Sequence, residues 1–224
     1  MISPFSMKSL TLANVESCVR AMAQVAIENE KYFCDLDGEM GDADFGKTLA
    51  DGFRAVQAQL DGSVDRSSIG TMLVKLGSAF AGSAGGTSGP IWGTAFLRAG
   101  IKSKDKQTVE LSDLVVMGRA AVEGMMARGN ASAGDKTLLD ALIPAIDQLD
   151  AMASSDDVLP AFKSAAERAE AAVEGTRSWP AKRGRQSYAG DRTIGTLDPG
   201  IVAVSMMAQA VVANLESQSA QSSS

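Results

Sequence analysis

Histidine is absent from the 224-residue chain, and cysteine occurs only twice. Without imidazole, the chain has no histidine general base, no histidine ligand for zinc, no Ser-His-Asp triad and no phosphohistidine relay. Cys18 and Cys34 lie 16 residues apart in one predicted helix. At about 1.5 Å per residue they are roughly 24 Å apart, too far to form a disulfide. Any chemistry on this chain must therefore use carboxylates, Lys and Arg, hydroxyls and backbone amides.

The sequence also has little of what directs a chain to membranes or nucleic acids. Its longest apolar stretch, 201–215, is interrupted by polar residues and falls short of the roughly 18 apolar residues that a membrane helix needs. The N-terminus lacks a basic segment followed by an apolar one, so no secretory signal is predicted. A net charge of −6 argues against a broad surface for nucleic acid. We therefore expect a cytoplasmic protein without membrane or nucleic-acid partners.

Aromatic residues make up only 5% of the sequence, whereas apolar residues recur at spacings of three and four. This pattern predicts helices, and no segment alternates as a strand would. We expect an all-α fold, an antiparallel bundle of eight helices in one domain over 1–216, with a disordered Ser- and Gln-rich tail over 217–224. The predicted helices span 12–33, 45–60, 68–82, 89–102, 111–128, 135–152, 157–175 and 199–216.

Five carboxylates lie within residues 35–44, which read DLDGEMGDAD. Like charges this close repel one another, so a fold that brings them together needs a cation, and oxygen ligands favour Mg²⁺ or Ca²⁺ over zinc. Glycines in and after the segment allow turns that would direct Asp37, Asp42 and Asp44 to one point. The alternative is a solvated acidic turn in which Asp44 caps the second helix.

The segment 41–48 also matches the P-loop pattern G-x-x-x-x-G-K-[ST]. A P-loop follows a buried β-strand, whereas the residues before this segment are polar and helical in pattern. Two aspartates inside the loop would also repel phosphate oxygens unless a metal intervened. We therefore reject the P-loop interpretation.

Three further segments have the composition of phosphate-binding parts. The loop 82–90 reads GSAGGTSGP, with Ser88 as the predicted N-cap of the next helix, and 129–137 reads GNASAGDKT. Glycine-rich helix starts present free amides and a positive dipole end to an anion. The long segment 175–199 carries five Lys and Arg residues and predicts a mobile basic flap, with an ordinary solvated linker as the alternative. Together with the acid cluster, these parts indicate a Mg-nucleotide site.

Four blocks of the sequence resemble the nucleotide-binding, L-type (DhaL) subunits of dihydroxyacetone kinases. They read LDGEMGDADFG, GGTSGPIWG, GNASAGDKTLLDALIPA and GRQSYAGDRTIGTLDPG and follow the family order over 36–200. The resemblance implies an antiparallel eight-helix barrel and a kinase subunit whose phosphoryl acceptor is an alcohol group. It also implies a separate K-type subunit that holds a short ketose covalently through a histidine.

The resemblance further implies roles for individual residues. Asp37, Asp42 and Asp44 would ligate two Mg²⁺ ions, and Arg185 would neutralise charge during phosphoryl transfer. One position departs from the family, because Phe45 stands where histidine is common. The residues implied around the nucleotide are Phe45, Gly46, Lys47, Thr48, Gly86, Thr87, Ser88, Gly129, Leu138, Arg185, Asp198, Pro199 and Gly200.

The phosphoryl donor, the acceptor and the assembly stay open at this point. In some systems of the family the nucleotide is a resident ADP that a phosphotransferase-system protein rephosphorylates, and in others ATP exchanges as a substrate. The same barrel can serve another acceptor, such as erythrulose or a fatty acid, or act as a non-catalytic adaptor that binds ADP. The residues also leave open a homodimer.

Overall fold

The computed structural model describes residues 7–221, which contain nine α-helices, one 3₁₀ segment and two short strands. The helices are Leu12–Glu28 (α1), Glu30–Gly38 (α2), Phe45–Asp61 (α3), Ile69–Ser83 (α4), Ser88–Lys102 (α5), Leu111–Gly129 (α6), Leu139–Ala151 (α7), Val158–Gly175 (α8) and Pro199–Gln221 (α9). The strands are Ser9–Thr11 (β1) and Thr108–Glu110 (β2), and the 3₁₀ segment is Arg185–Thr193.

The helices form a closed ring. Helix α1 packs on α3, and from α3 onwards each helix packs on the next one along the chain. Helix α9 closes the ring because it contacts both α8 and α1. Helix α2 extends the arm begun by α1 and packs against α3. With α1 and α2 counted as one arm, the ring has eight members, and the predicted all-α fold class is confirmed.

An aromatic cluster fixes α3, α4 and α5 relative to one another. The ring of Phe53 in α3 lies 5.2 Å from Phe80 in α4, 5.9 Å from Trp92 and 6.2 Å from Phe96 in α5, each edge-on. Edge-to-face pairs at these distances are favourable beyond the area that they bury. The cluster therefore sets where the start of α3 lies relative to the glycine-rich loop between α4 and α5.

The structure corrects several predicted boundaries. The predicted helix 12–33 is divided at Asn29, whose backbone N–H and side-chain amide both donate to the carbonyl of Val25, at 3.1 and 2.9 Å. Cys18 and Cys34 therefore lie on different helices, and both are free, as expected. The seventh helix begins at Leu139 and not at 135, because Lys136 has a φ of +58° that a right-handed helix does not allow.

Two strands were not predicted, and they are three residues each. β1 and β2 pair antiparallel, with Ser9 opposite Glu110 and Thr11 opposite Thr108. Strands this short contain too few residues for an alternating pattern to stand out. Their pairing joins the start of α1 to the start of α6.

Helix α9 is longer than predicted and is long and apolar enough to cross a membrane by length and composition. In this fold it is a member of the ring, and half of its apolar stretch is buried. The predicted disordered tail, 217–224, is helical as far as Gln221. Gln218 hydrogen-bonds to Asn14 of α1 and Asn214 of α9, which holds this end in place. Residues 222–224 lie outside the described residues.

Candidate functional site

A cavity of about 770 Å³ lies where α3, α5, α7 and α9 begin. Because a helix N-terminus carries unpaired amides and a partial positive charge, four of them around one cavity favour an anionic ligand. The predicted site residues that line the cavity are Asp37, Asp42, Asp44, Phe45, Thr48, Gly86, Thr87, Ser88, Gly129, Leu138, Arg185, Asp198, Pro199 and Gly200.

Three carboxylates meet at one side of this cavity. One oxygen from each of Asp37, Asp42 and Asp44 lies within 4.8 Å of the other two, and these residues are called the carboxylate triad below. The turn that connects them passes through Ala43, which has a left-handed φ of 60°. The sequence predicted this convergence, and the structure brings the three side chains together.

Asp37 joins the end of α2 to the start of α3. It is buried, and its Oδ2 accepts hydrogen bonds from the backbone N–H groups of Asp44 and Phe45, at 3.1 and 3.3 Å. Asp44 occupies the N-cap position of α3, but its side chain makes no capping hydrogen bond. The cap that the alternative of a solvated acidic turn places on the Asp44 side chain is therefore not formed, although Asp42 and Asp44 are exposed.

The charges of the triad are only partly compensated by the described residues. Burial raises the pKa of Asp44 above its usual value, the hydrogen bond and the charge of Asp42 raise it further, and Arg185 opposes the shift. Arg185 forms an ion pair with Asp42. One guanidinium against three carboxylates leaves an excess of negative charge, and the donor set consists of oxygen atoms. This composition fits a hard divalent cation such as Mg²⁺.

Another part of the cavity wall is formed by Gly85, Gly86 and Thr87 in the loop between α4 and α5 and by Ser88 at the start of α5. Gly86 has a φ of +57°, which glycine adopts without strain, and no atom lies within 4 Å of where a Cβ would stand. Helix α5 starts at Ser88, so its N-cap is Thr87, one residue before the predicted cap. The Thr87 side chain makes no capping hydrogen bond, and the first turn of α5 therefore has no side-chain cap.

The basic segment 175–199, called the flap below, is attached to the loop 129–137. The backbone N–H of Lys182 donates to the carbonyl of Asp135 at 3.0 Å, and Arg183 Nε donates to the Asp135 carboxylate at 3.1 Å. Beyond these contacts the 3₁₀ segment brings Arg185 to the triad. The flap is therefore a folded wall of the cavity and not an ordinary solvated linker.

The start of α9 contributes a titratable group to the cavity. Asp198 Oδ1 accepts a hydrogen bond from the N–H of Ile201 at 2.9 Å. Burial raises the pKa of the Asp198 carboxyl to about 7, although hydrogen bonds from the Ile201 and Gly200 amides act in the opposite direction. Asp198 is therefore a carboxyl of this cavity whose charge changes near neutral pH.

Two predicted site residues do not line the cavity. A Cβ on Gly46 would lie 2.0 Å from the carbonyl oxygen of Glu30, so this glycine allows α3 to approach α2 closely. Lys47 is exposed and its amine pairs with Asp51. The segment 41–48 follows helix α2 and not a strand, which agrees with the rejection of a P-loop.

Sequence reasoning did not single out several lining residues, although most of them lie in the segments 82–90, 129–137 and 175–199 that it assigned to the site. The exceptions, which ring closure brings to the cavity, are Ile91, Met125, Arg128 and Leu139. Met125 and Arg128 lie on one face of α6, three residues apart, directly before the glycine-rich segment 129–137. That spacing was the one feature of the sequence that could have identified these two residues. The missed residues are Gly85, Pro90, Ile91, Met125, Arg128, Ala131, Thr137, Leu139, Lys182, Arg183, Gly184, Gln186, Ser187 and Tyr188.

Comparison with known proteins identifies one protein family, which matches most of the chain. A family model, the DAK2 domain, matches residues 39–213. The chain is 34% identical over 202 residues to the PEP-dependent dihydroxyacetone kinase, ADP-binding subunit DhaL, of Escherichia coli (strain K12), a match that covers 90% of this chain and 96% of that protein. It is 36% identical over 200 residues to the L-erythrulose 1-kinase of Mycolicibacterium smegmatis, covering 88% of this chain and 35% of that protein.

A solved structure shares the fold. The crystal structure of the dihydroxyacetone kinase from C. freundii in complex with AMP-PNP and Mg²⁺ matches with a TM-score of 0.71 and 23% sequence identity. The match covers 95% of this chain and 36% of that one. The ring of helices is therefore a known architecture that also occurs within a longer chain.

Proposed function

The chain belongs to the DAK2 domain family, and we propose that it is the nucleotide-binding subunit of a dihydroxyacetone-type kinase. In this proposal the cavity holds ADP or ATP with Mg²⁺ and presents it for phosphoryl transfer to an alcohol group of a short ketose, which a separate K-type subunit holds. The observation that carries the proposal is the convergence of three carboxylates and four helix N-termini on one cavity. The E. coli relative, named as an ADP-binding kinase subunit, supports it.

The residues of the cavity divide this work between them. The carboxylate triad would hold Mg²⁺, and we propose two ions. When bound, Mg²⁺ would neutralise the charge of the phosphate oxygens and orient them for in-line transfer. The amides of Gly86, Thr87 and Ser88 donate to phosphate oxygens, as glycine-rich helix starts do. Arg185, already at the triad, neutralises charge on the transferred group.

The apolar part of the wall suits the nucleobase. Ile91, Met125 and Leu138 line the cavity, and flat heterocycles bind against such side chains while a few polar groups fix their orientation. We place the base there, and we place the phosphates at the triad. The other proposed nucleotide contacts are Phe45, Thr48, Gly129, Asp198, Pro199 and Gly200.

The partner supplies what this chain does not contain. The sequence has no histidine, so covalent attachment of a ketose through histidine, or a phosphohistidine relay, belongs to other subunits. The donor is then either exchanging ATP or a phosphotransferase-system protein that recharges a resident ADP. Identification of the nucleotide that co-purifies with the full chain separates the two, because a resident ADP survives extensive desalting and an exchanging nucleotide is removed.

A second candidate acceptor is a four-carbon ketose. The 36% identity to a protein named L-erythrulose 1-kinase favours it. Transfer assays with dihydroxyacetone and erythrulose, each with a K-type subunit, discriminate between the acceptors by their kcat/KM. Nucleotide binding without transfer to either ketose would indicate an adaptor.

The direct test of the proposal is a carboxylate substitution in the triad. We expect Asp42→Asn to weaken Mg-ADP binding to the full chain at least 30-fold, about 2 kcal/mol, as measured by isothermal titration calorimetry. EDTA should abolish binding to the unsubstituted chain.

Asp35→Asn is the matched control. Asp35 lies on α2, two residues before Asp37, but it is exposed and pairs with Lys31. The same loss of charge there should change the affinity less than twofold. Metal-dependent affinity that is equal in Asp42→Asn and the unsubstituted chain would remove the triad from its proposed role.

A further inference from the structure

A buried ammonium group outside the cavity joins the two ends of the flap. Lys136 is 1% exposed, and its Nζ donates to the carbonyl oxygens of Arg177 at 3.3 Å, Trp179 at 2.9 Å and Thr193 at 2.7 Å. Arg177 and Trp179 precede the 3₁₀ segment, and Thr193 ends it. One side chain therefore holds the beginning and the end of the flap together.

These contacts use the full donor capacity of the side chain. An ammonium has three N–H donors, and each has a carbonyl acceptor here. Lys136 does not line the cavity, so it is not available to a phosphate group. Burial lowers its pKa, and a buried charge is costly unless it is fully hydrogen-bonded. An apolar side chain would fill the same space without the cost of burying a charge, so what distinguishes lysine here is its three hydrogen bonds to the flap.

The turn that carries Lys136 is itself held in place. Asp140, buried at the start of α7, accepts hydrogen bonds from the backbone N–H of Gly134 at 2.5 Å and of Thr137 at 2.9 Å. These bonds lie on either side of Lys136 and fix the left-handed backbone at this residue. The backbone that carries the ammonium is thus fixed by Asp140 at the start of α7.

A continuous chain of contacts leads from Lys136 to the triad. The neighbouring Asp135 binds Lys182 and Arg183 of the flap. The N–H of Ala181 donates to Thr193 Oγ1 at 2.8 Å, which joins the two sides of the flap base. Two residues beyond Arg183, Arg185 pairs with Asp42.

We propose that Lys136 is a positioning residue whose ammonium clips the base of the flap and thereby holds Arg185 at the carboxylate triad. The proposal rests on the proposed function only in the choice of Mg-ADP as a probe. The attachment of the flap itself is measurable without a nucleotide.

The first measurement uses Trp179, whose carbonyl accepts from Lys136, as a reporter. The chain has two tryptophans, so Trp92→Phe leaves Trp179 as the sole indole. In that background, Lys136→Met should at least double the rate of acrylamide quenching of Trp179 while the far-UV circular dichroism stays unchanged. Lys163→Met, which removes an amine paired with Glu216 on the α8–α9 surface, is the control and should leave the quenching unchanged.

The second measurement asks whether Lys136 acts through Arg185. Lys136→Met and Arg185→Ala should each weaken Mg-ADP binding about tenfold. If the ammonium acts by placing the guanidinium, the double variant should also lose about tenfold, because coupled residues are not additive. A merely structural role of Lys136 would give losses that multiply to about a hundredfold.

Three outcomes are distinguishable. Unchanged Trp179 quenching in Lys136→Met, or multiplying losses in the double variant, overturns the clip. Absence of Mg-ADP binding by the unsubstituted chain overturns the proposed function, whereas the quenching result still decides the clip. Lys136→Gln, which keeps two donors without the charge, is measured in parallel and should show a smaller change in the same direction, even if Lys136→Met does not fold.

Discussion

At the scale of the residue, Gly46 shows how a missing side chain supports the site. Its position against Glu30 and Cys34 leaves no room for a Cβ, so we expect Gly46→Ala to lower the free energy of unfolding by about 1–3 kcal/mol through overpacking. Urea denaturation measures this change. Gly82→Ala is the control, because nothing lies within 4 Å of a Cβ at that exposed helical glycine, and it should stabilise by about 0.5–1 kcal/mol. Equal effects at the two positions would contradict the close approach of α2 and α3.

Asp198 gives the nucleotide-free protein a pH-dependent stability. Its pKa of about 7 in the folded state exceeds the ordinary 3.8, so between these values the folded protein binds the extra proton. The free energy of unfolding therefore falls as pH rises from about 4 to 7. Asp198→Asn removes this loss and should be more stable than the unsubstituted chain above pH 7, by on the order of 1–4 kcal/mol.

Urea denaturation of both proteins at pH 4, 6 and 8, without metal or nucleotide, checks this expectation. Since all other carboxyls are common to the two proteins, the difference between them isolates Asp198. The difference should grow from pH 4 to pH 8. A constant difference over that range would show that the Asp198 carboxyl is not perturbed by burial.

The local sequence predicted the triad but not the direction of every neighbour. Phe45 and Thr48 lie three residues apart on one face of α3 and line the cavity, whereas Gly46 and Lys47 between them face α2 and solvent. A contiguous motif in a helix cannot direct all its side chains to one ligand. The role of Lys136 was also beyond the sequence, because its three acceptors are 41 to 57 residues away.

At the scale of the element, the flap is expected to respond to the ligand. Arg185 and Arg192 are exposed parts of the 3₁₀ segment, and a ligand bound at the triad adds contacts to Arg185. We expect Mg-ADP to slow tryptic cleavage after these arginines at least fivefold, as measured by mass spectrometry of the fragments. ADP with EDTA should not protect them.

Cleavage after Lys104 provides the internal control for this experiment. Lys104 is exposed in the connection between α5 and β2 and does not line the cavity. Its cleavage rate should be the same with and without Mg-ADP. Equal protection at Lys104 and in the flap would indicate a general stabilisation and not closure of the flap.

The elements were predictable where they are long and periodic. The cores of all eight predicted helices are present, because their apolar spacing extends over three or more turns. The break at Asn29 was missed because residues on both sides continue a helical pattern. The first turn of the predicted helix 135–152 was wrong because the backbone of Lys136 is left-handed there.

At the scale of the whole molecule, closure of the ring depends on contacts between the two ends of the chain. Asn214 of α9 donates to Ser17 of α1 at 2.9 Å, across 197 residues. Helical periodicity predicts which faces are apolar but not which helices meet, so the resemblance and not the pattern indicated a barrel. A closed ring supports our proposal of one domain over 1–216, since separating any two adjacent helices exposes the apolar faces of both to water.

The contact between α1 and α9, called the seam below, lies away from the cavity. We therefore expect a substitution in the seam to change the stability of the protein and to leave its nucleotide affinity unchanged. Leu215 is fully buried in α9, and it does not line the cavity. Leu215→Ala should lower the free energy of unfolding by about 2–5 kcal/mol and leave Mg-ADP affinity within twofold at a temperature where the protein is folded. The unfolding transitions seen by circular dichroism and by tryptophan fluorescence should coincide.

Leu97→Ala is the matched substitution on the outside of the ring. Leu97 is 39% exposed on α5, so its truncation should cost about 1 kcal/mol or less. Two separate transitions in Leu215→Ala would show that the α1–α9 seam opens without the rest of the ring and would refute a single cooperative domain. If Leu215→Ala instead lost as much Mg-ADP binding energy as free energy of unfolding, nucleotide binding would depend on the packing of the seam. The ligand contacts at the start of α9 would then require that its far end be held against α1.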